Sequence, residues 1–280
     1  MMLRRSLVVV MLALAIAGNS FGAQVYTQWT GAINTDWSVA GNWDAGVPQT
    51  LHPVGGPKAT NFGKAGFKGT ASGSPFIGTG TTVSVDQIVV GGNGTALGGT
   101  LNVDGGTINV SEFVNIGNVG ADVGVVNINS GSINCGARIS NEGRFIVGLS
   151  GTGTLNINGG SLNLTTFLTI GDGSVATSNG LVNLNDGFIY ASDLLMKRQN
   201  SLPTANMVIK DGILVLNNAN DLTGKINGYI SNGWISAFEG YTLHSAFDSE
   251  IGTTTVWAIP EPATMSLLGL GLLGLLKRRK

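Results

Sequence analysis

The sequence predicts an all-β chain wound as a single-stranded parallel β-helix, a β-solenoid with capped ends. Three observations carry that prediction. Five segments line up along the chain: LNVDGGTIN from Leu101, VNINSGSIN from Val126, LNINGGSLN from Leu155, VNLNDGFIY from Val182 and VIKDGILVL from Val208. Their shared glycines, Gly106, Gly131, Gly160, Gly187 and Gly212, are 25, 29, 27 and 25 residues apart. Within each unit apolar and polar residues alternate, which is the period of a strand with one buried face. Glycine and asparagine then punctuate the short runs as turn residues do. A unit of this size cannot bury its apolar face alone. Stacked units share one core, and unequal steps map to loops on one side. A β-sandwich or a meander of hairpins is the rival, because turn signals at this density also suit it.

Each element follows in order. Residues 1–22 read as a secretory signal peptide, with Arg4 and Arg5 ahead of an apolar run from Leu7 to Ala17. Such a run is too short to span a bilayer stably. Ser20 and Gly22 supply the small residues for signal peptidase, which predicts cleavage between Gly22 and Ala23. Residues 23–80 read as an N-terminal cap and loop region, holding Trp29, Trp37 and Trp43. The stretch from Thr50 to Gly80 reads as a long loop or a loose first coil. The solenoid is assigned to residues 81–220. A second sub-pattern supports it: IVVGGN from Ile88, VNIGN from Val114, FIVGL from Phe145 and LTIGD from Leu168. Residues 221–258 lose the repeat and read as a C-terminal cap, with Trp234 and Phe238 over the last coil. Residues 259–280 form a tail: Pro260-Glu261-Pro262, an apolar run from Ala263 to Leu276, then Lys277, Arg278, Arg279 and Lys280. The apolar run reads as a transmembrane helix, and the basic end reads as cytoplasmic.

Two resemblances extend this reading. The tail IPEPATMSLLGLGLLGLLKRRK resembles the PEP-CTERM sorting signal of bacteria that secrete exopolysaccharide. The resemblance implies recognition near Pro260-Glu261-Pro262 by an exosortase-type membrane protease, loss of the helix, and release to the surface or matrix. A tail of this kind is also labelled the C-terminal domain of an ice-binding protein, a label that concerns the tail rather than the body. The coil length is similar to that of pectin-lyase-like β-helices, which implies a right-handed winding. The repeat resembles those of bacterial surface and autotransporter-type passenger proteins.

Composition excludes several classes. Only 11% of the 280 residues are charged and 42% are hydrophobic, which is not a disordered composition. Its 44 glycines are far short of one in three, which excludes collagen. A net charge of −1 leaves no footprint for nucleic acid. Without residues 1–22 and the tail, nine basic and 15 acidic residues remain, a mildly acidic body. One cysteine, Cys135, cannot form an intrachain disulfide. It aligns with Val110 and Leu164 at an inward position and reads as a buried thiol.

Candidate sites are few. Gly269, Gly271 and Gly274 match a dinucleotide fingerprint, but inside the apolar tail with no strand before them. Gly18, Ser20 and Gly22 match a nucleophile elbow, but within the segment to be removed. His52 and His244 are far apart, and no metal-ligand spacing exists. Asp104, Asp186 and Asp211 stand near turn glycines, where Asp serves the turn itself. Arg138, Glu142 and Arg144, and likewise Asp193, Lys197 and Arg198, read as solvated loops. Asn102, Asn127, Asn156 and Asn183 share one outward repeat position. They form a polar ladder, either bonding to one another or offering a strip to sugar hydroxyls. Thr100 and Thr154 match in register, but Val125 and Leu181 interrupt any threonine array of the kind ice binding needs. The sequence therefore points to an exported structural or adhesive protein of the surface or matrix, associated with exopolysaccharide. It predicts no catalytic residue, metal or cofactor. Alternatives are a polysaccharide-active enzyme on a β-helix scaffold, or a carbohydrate- or ice-binding module.

Overall fold

The computed structural model describes residues 25–48, 63–67, 75–92, 98–136, 144–173, 175–197 and 201–261. The predicted signal peptide, with Gly22 and Ala23, lies outside the described residues. So does the tail from Pro262 through Lys277, Arg278, Arg279 and Lys280.

The chain winds as a β-solenoid of about six turns, with three strands per coil stacked in parallel on three faces. The first face carries residues 98–103 and 123–128, then Thr152–Ile157, Asn179–Leu184, Thr204–Ile209 and Ile235–Ala237. The second carries residues 107–110 and 132–135, then Ser161–Leu164, Phe188–Ala191 and Ile213–Asn217. The third carries residues 87–90 and 113–116, then Arg144–Val147, Phe167–Ile170 and Asp193–Met196. Sequence units and structural coils coincide in register: Leu101 pairs with Val126, Val126 with Leu155, and Leu155 with Val182. Parallel stacking excludes the sandwich and the hairpin meander as the plan of the body.

Alternation explains the core. On the first face Leu101, Val126, Leu155, Val182 and Met207 point inward and are fully buried. Ile108, Ile133, Leu162, Ile189 and Leu214 do so on the second, and Ile88, Val114, Phe145, Leu168 and Leu194 on the third. Each such side chain contributes about 1.5–3 kcal/mol when removed from water. One coil supplies only one row, so the rows stabilise the fold only when stacked.

The corner after the third face depends on glycine. Gly91, Gly117, Gly148 and Gly171 occupy it in successive coils with φ of 82°, 68°, 76° and 67°. That left-handed conformation costs an L-residue with a Cβ. In the next coil the position falls to Lys197, whose φ is 51°. Its amide still donates to the Ile170 carbonyl at 3.0 Å, as Gly171 does to Val147 at 2.8 Å. Its ammonium sits 4.9 Å above the Trp234 ring.

Both ends are closed. At the N-terminal end Trp29, Trp37 and Trp43 are buried in the same core as the coils. Trp43 meets the other two edge-on, at 5.1 and 4.8 Å between ring centroids, and its indole N–H donates to the Trp37 carbonyl at 2.8 Å. Asn42, fully buried, accepts from the amides of Ile33 and Asn34 and donates to the Asp36 carbonyl. The parallel ladder begins earlier than residue 81: Val25–Gln28 pairs with Gly63–Phe67, and Gly63–Phe67 with the strand Thr82–Val90. Of the stretch from Thr50 to Gly80 only residues 63–67 and 75–80 are described, and Gly63–Phe67 adds a strand to the third face.

The C-terminal end carries a helix beside its strands. Thr223–Ser231 is an α-helix that buries Ile226 against the core. Asp221 accepts from the Thr223 amide at 2.8 Å and its hydroxyl at 2.7 Å, ahead of the first turn. Tyr241–Asp248 and Thr253–Pro260 form an antiparallel hairpin, and Thr253–Pro260 pairs antiparallel with Ile213–Asn217. That reversal ends the parallel stack. Trp234 packs against the core, whereas Phe238 is 46% exposed and does not cover the last coil as expected.

Candidate functional site

The outward side of the first face is lined with amides that bond along the solenoid axis. Asn127 donates to Asn102 at 2.8 Å, Asn156 to Asn127 at 2.8 Å, and Asn183 to Asn156 at 2.7 Å. A second ladder runs beside it at the turn: Asn129 donates to Asp104 at 2.8 Å, Asn158 to Asn129 at 2.7 Å, and Asn185 to Asn158 at 2.8 Å. A third lies on the second face, from Asn163 to Asn134 at 2.7 Å and Asn134 to Asn109 at 2.9 Å. Asparagine suits this because its amide both donates and accepts, and coils stack at the ~4.8 Å spacing of neighbouring strands. An ionised Asp only accepts, so it fits where the donors run out. Asp104 stands at that end of the second ladder.

Sequence reasoning found the first ladder and missed the other two as ladders. Asn109, Asn134 and Asn163 recur just as regularly, and this recurrence was the available clue. Asp104 shares a column with Asn129, not with Asp186 and Asp211. Asp186 and Asp211 follow that column by one residue, after Asn185 and Lys210.

The other carboxylates are engaged locally. Asp186 accepts from the Gly187 amide at 2.6 Å, a turn contact. Asp211 pairs with Lys210 at 3.4 Å and accepts from the Tyr241 hydroxyl at 3.1 Å. Asp193 and Lys197 do not form a solvated loop. Asp193 opens a third-face strand and is bound at 2.7 Å by Lys225 of the cap helix. Arg144 opens another strand, while Arg138, Glu142 and Arg198 lie outside the described residues. Among the described residues no cluster of three or more His, Cys, Asp or Glu could hold a metal ion. His244 stacks on Trp257 at 5.7 Å; His52 lies outside the described residues. Cys135 is buried between Val110 and Leu164, and burial pushes its thiol up to about 12. Thr100 and Thr154 flank Val125, and Leu181 follows Thr154, so the outward column they share is broken.

One pocket of about 390 Å³ opens where the N-terminal cap meets the first face. Thr35, Asp36, Phe76, Thr79, Thr81 and Asp104 line it. Asp36 bridges to Phe76, which pairs with Asn102, so carboxylate and ring continue the first amide column toward the cap. Phe76 is 48% exposed. Asp36 accepts from the Ser38 amide at 2.8 Å and hydroxyl at 2.7 Å, and the hydroxyl first, then the amide, lowers its pKa below the usual carboxylate value.

At the other end, Pro260 is the last residue of the cap hairpin and pairs with Tyr241. Glu261 is exposed, and its amide donates to the Gly240 carbonyl at 2.8 Å. The first two residues of the Pro-Glu-Pro motif are therefore held against the cap hairpin. The glycine motifs of the two termini lie outside the described residues, and among the described residues no helix is long and apolar enough to cross a membrane.

No curated protein and no solved structure matches the chain. The PEP-CTERM protein-sorting motif matches residues 258–280. This motif implies processing by exosortase, a membrane protein, and with it a route through the membrane toward the surface. Behind its solenoid body the chain thus carries the sorting motif of exosortase-processed, exported proteins.

Proposed function

We propose that the protein is a non-catalytic structural or adhesive component of the cell surface or exopolysaccharide matrix. A signal peptide removed after Gly22 starts its export. The C-terminal segment holds it briefly in the inner membrane, N-terminus outside and basic end inside, until exosortase cuts near Pro260. The observation that carries the reading is the pairing of this sorting motif with a body whose polar residues are spent on holding coils together. Three amide ladders and a continuous core make a stiff, weakly charged rod, which suits a scaffold. Asp186 serves a turn and Asp193 holds the cap helix.

The test is cell fractionation with quantification of matrix-bound protein. Asp186→Asn keeps an acceptor for the Gly187 amide and should leave the matrix-bound amount within about twofold of the parent. Loss of matrix function in a folded Asp186→Asn protein would favour the enzyme reading instead.

A further inference from the structure

We infer that the pocket between the N-terminal cap and the first face binds a neutral, hydroxyl-rich sugar unit. The assignment rests on the matrix reading only in that an exported protein meets glycans; its chemistry comes from the pocket. Sugar rings present two surfaces. Their C–H faces are apolar and pack on exposed aromatic rings, and their hydroxyls donate and accept hydrogen bonds. Phe76 supplies the ring. Asp36 and Asp104 supply acceptors for hydroxyl protons, and the hydroxyls of Thr35, Thr79 and Thr81 do either. The volume, about 390 Å³, lies within the range of small-molecule sites.

The walls are pre-organised, which lowers the cost of binding. The Phe76 amide donates to the Thr35 carbonyl at 2.8 Å, fixing the cap strand against the first face. The turn carrying Thr79 and Thr81 is held by the Thr81 amide on Gly78 at 3.1 Å and the Thr107 amide on Thr81 at 2.8 Å. Asn129 fixes Asp104 from the next coil and Ser38 fixes Asp36. Among the described residues that line the pocket, two are carboxylates and none is Lys, Arg or His. Like charge then selects against uronic acids and sulfated sugars, so the ligand is a neutral glycan. The amide column from Asn102 to Asn183 begins beside Phe76, so the pocket stands at the cap end of that ladder.

Native affinity electrophoresis of the full chain in non-ionic detergent tests this. Hydroxyethyl cellulose, a neutral glucan, and polygalacturonate, an acidic one, are cast into the gels. The expected result is retardation by the neutral glucan and none by polygalacturonate. Phe76→Ala removes a half-exposed ring, and Asp104→Asn keeps the acceptor for Asn129. Each should weaken retardation about tenfold with thermal unfolding unchanged. No retardation by hydroxyethyl cellulose, or stronger retardation by polygalacturonate, overturns the assignment. So does retardation that both variants retain. Release of reducing ends from the glucan overturns it in favour of an enzyme. Stabilisation by CaCl2 alone, lost in Asp104→Asn but kept in Phe76→Ala, overturns it in favour of a cation site. None of these outcomes depends on where the protein is sorted, so the matrix reading is judged separately by fractionation.

Discussion

At the scale of single residues, position in the coil decides chemistry. Cys135 shows this best. Its column also holds Val110 and Leu164, so it is treated as a small apolar side chain and buried. Alternation alone made that legible. Burial raises the thiol to about 12 from the usual 9.0, because the thiolate cannot be hydrated there. The folded chain keeps its proton where the unfolded chain loses it. The thiol therefore supports the fold fully below about pH 9 and loses that support as pH climbs toward 12. Iodoacetamide at pH 8 should label Cys135 only after denaturation; rapid labelling of the native protein would contradict its burial. Lys197 was not legible in the same way. Its left-handed φ becomes visible only when the glycines before it in the stack are known to share one corner.

At the scale of elements, the ladders add side-chain bonds between coils to the backbone pairing. Asn156 makes two ladder bonds, donating to Asn127 and accepting from Asn183, whereas Asn185 donates one at the end of its ladder. Asn156→Ala should cost about 1–2 kcal/mol and Asn185→Ala about half that, since a net hydrogen bond contributes about 1 kcal/mol. Urea unfolding midpoints of the two variants check the order, and equal losses would count against a continuous ladder. The solenoid strands were legible because each is short, alternating and repeated. The cap helix Thr223–Ser231 was not. It contains Gly224 and Gly228, both poor helix formers, and buries only Ile226. Tertiary support decides its state: Lys225 bonds Asp193, and the Tyr229 ring packs at a tilt against Trp234, 5.5 Å between centroids. Phe238 misled for a related reason. Its residue type suggests cover, but it follows the strand Ile235–Ala237, the last on the first face, and lies against Tyr241 and Lys210 at the surface.

At the scale of the whole molecule, the two closed ends and the directly attached tail form one design. The tryptophan cap closes one end of the core, and a helix with an antiparallel hairpin covers the other. The pocket at the tryptophan end was not legible in the sequence. It joins Asp36, Phe76 and Asp104, which no motif connects and only winding brings together. The sorting motif was fully legible, because an address of this kind is read as a linear segment. Pro260 and Glu261, early in the motif, are tied to the hairpin at the edge of the folded body.

The intact mass of the protein recovered from outside the cells tests this account most directly. The account predicts a chain that starts at Ala23 and ends near Pro260. A recovered chain that still carries Lys277 to Lys280 would contradict it, because the tail would then be an anchor and not a sorting signal.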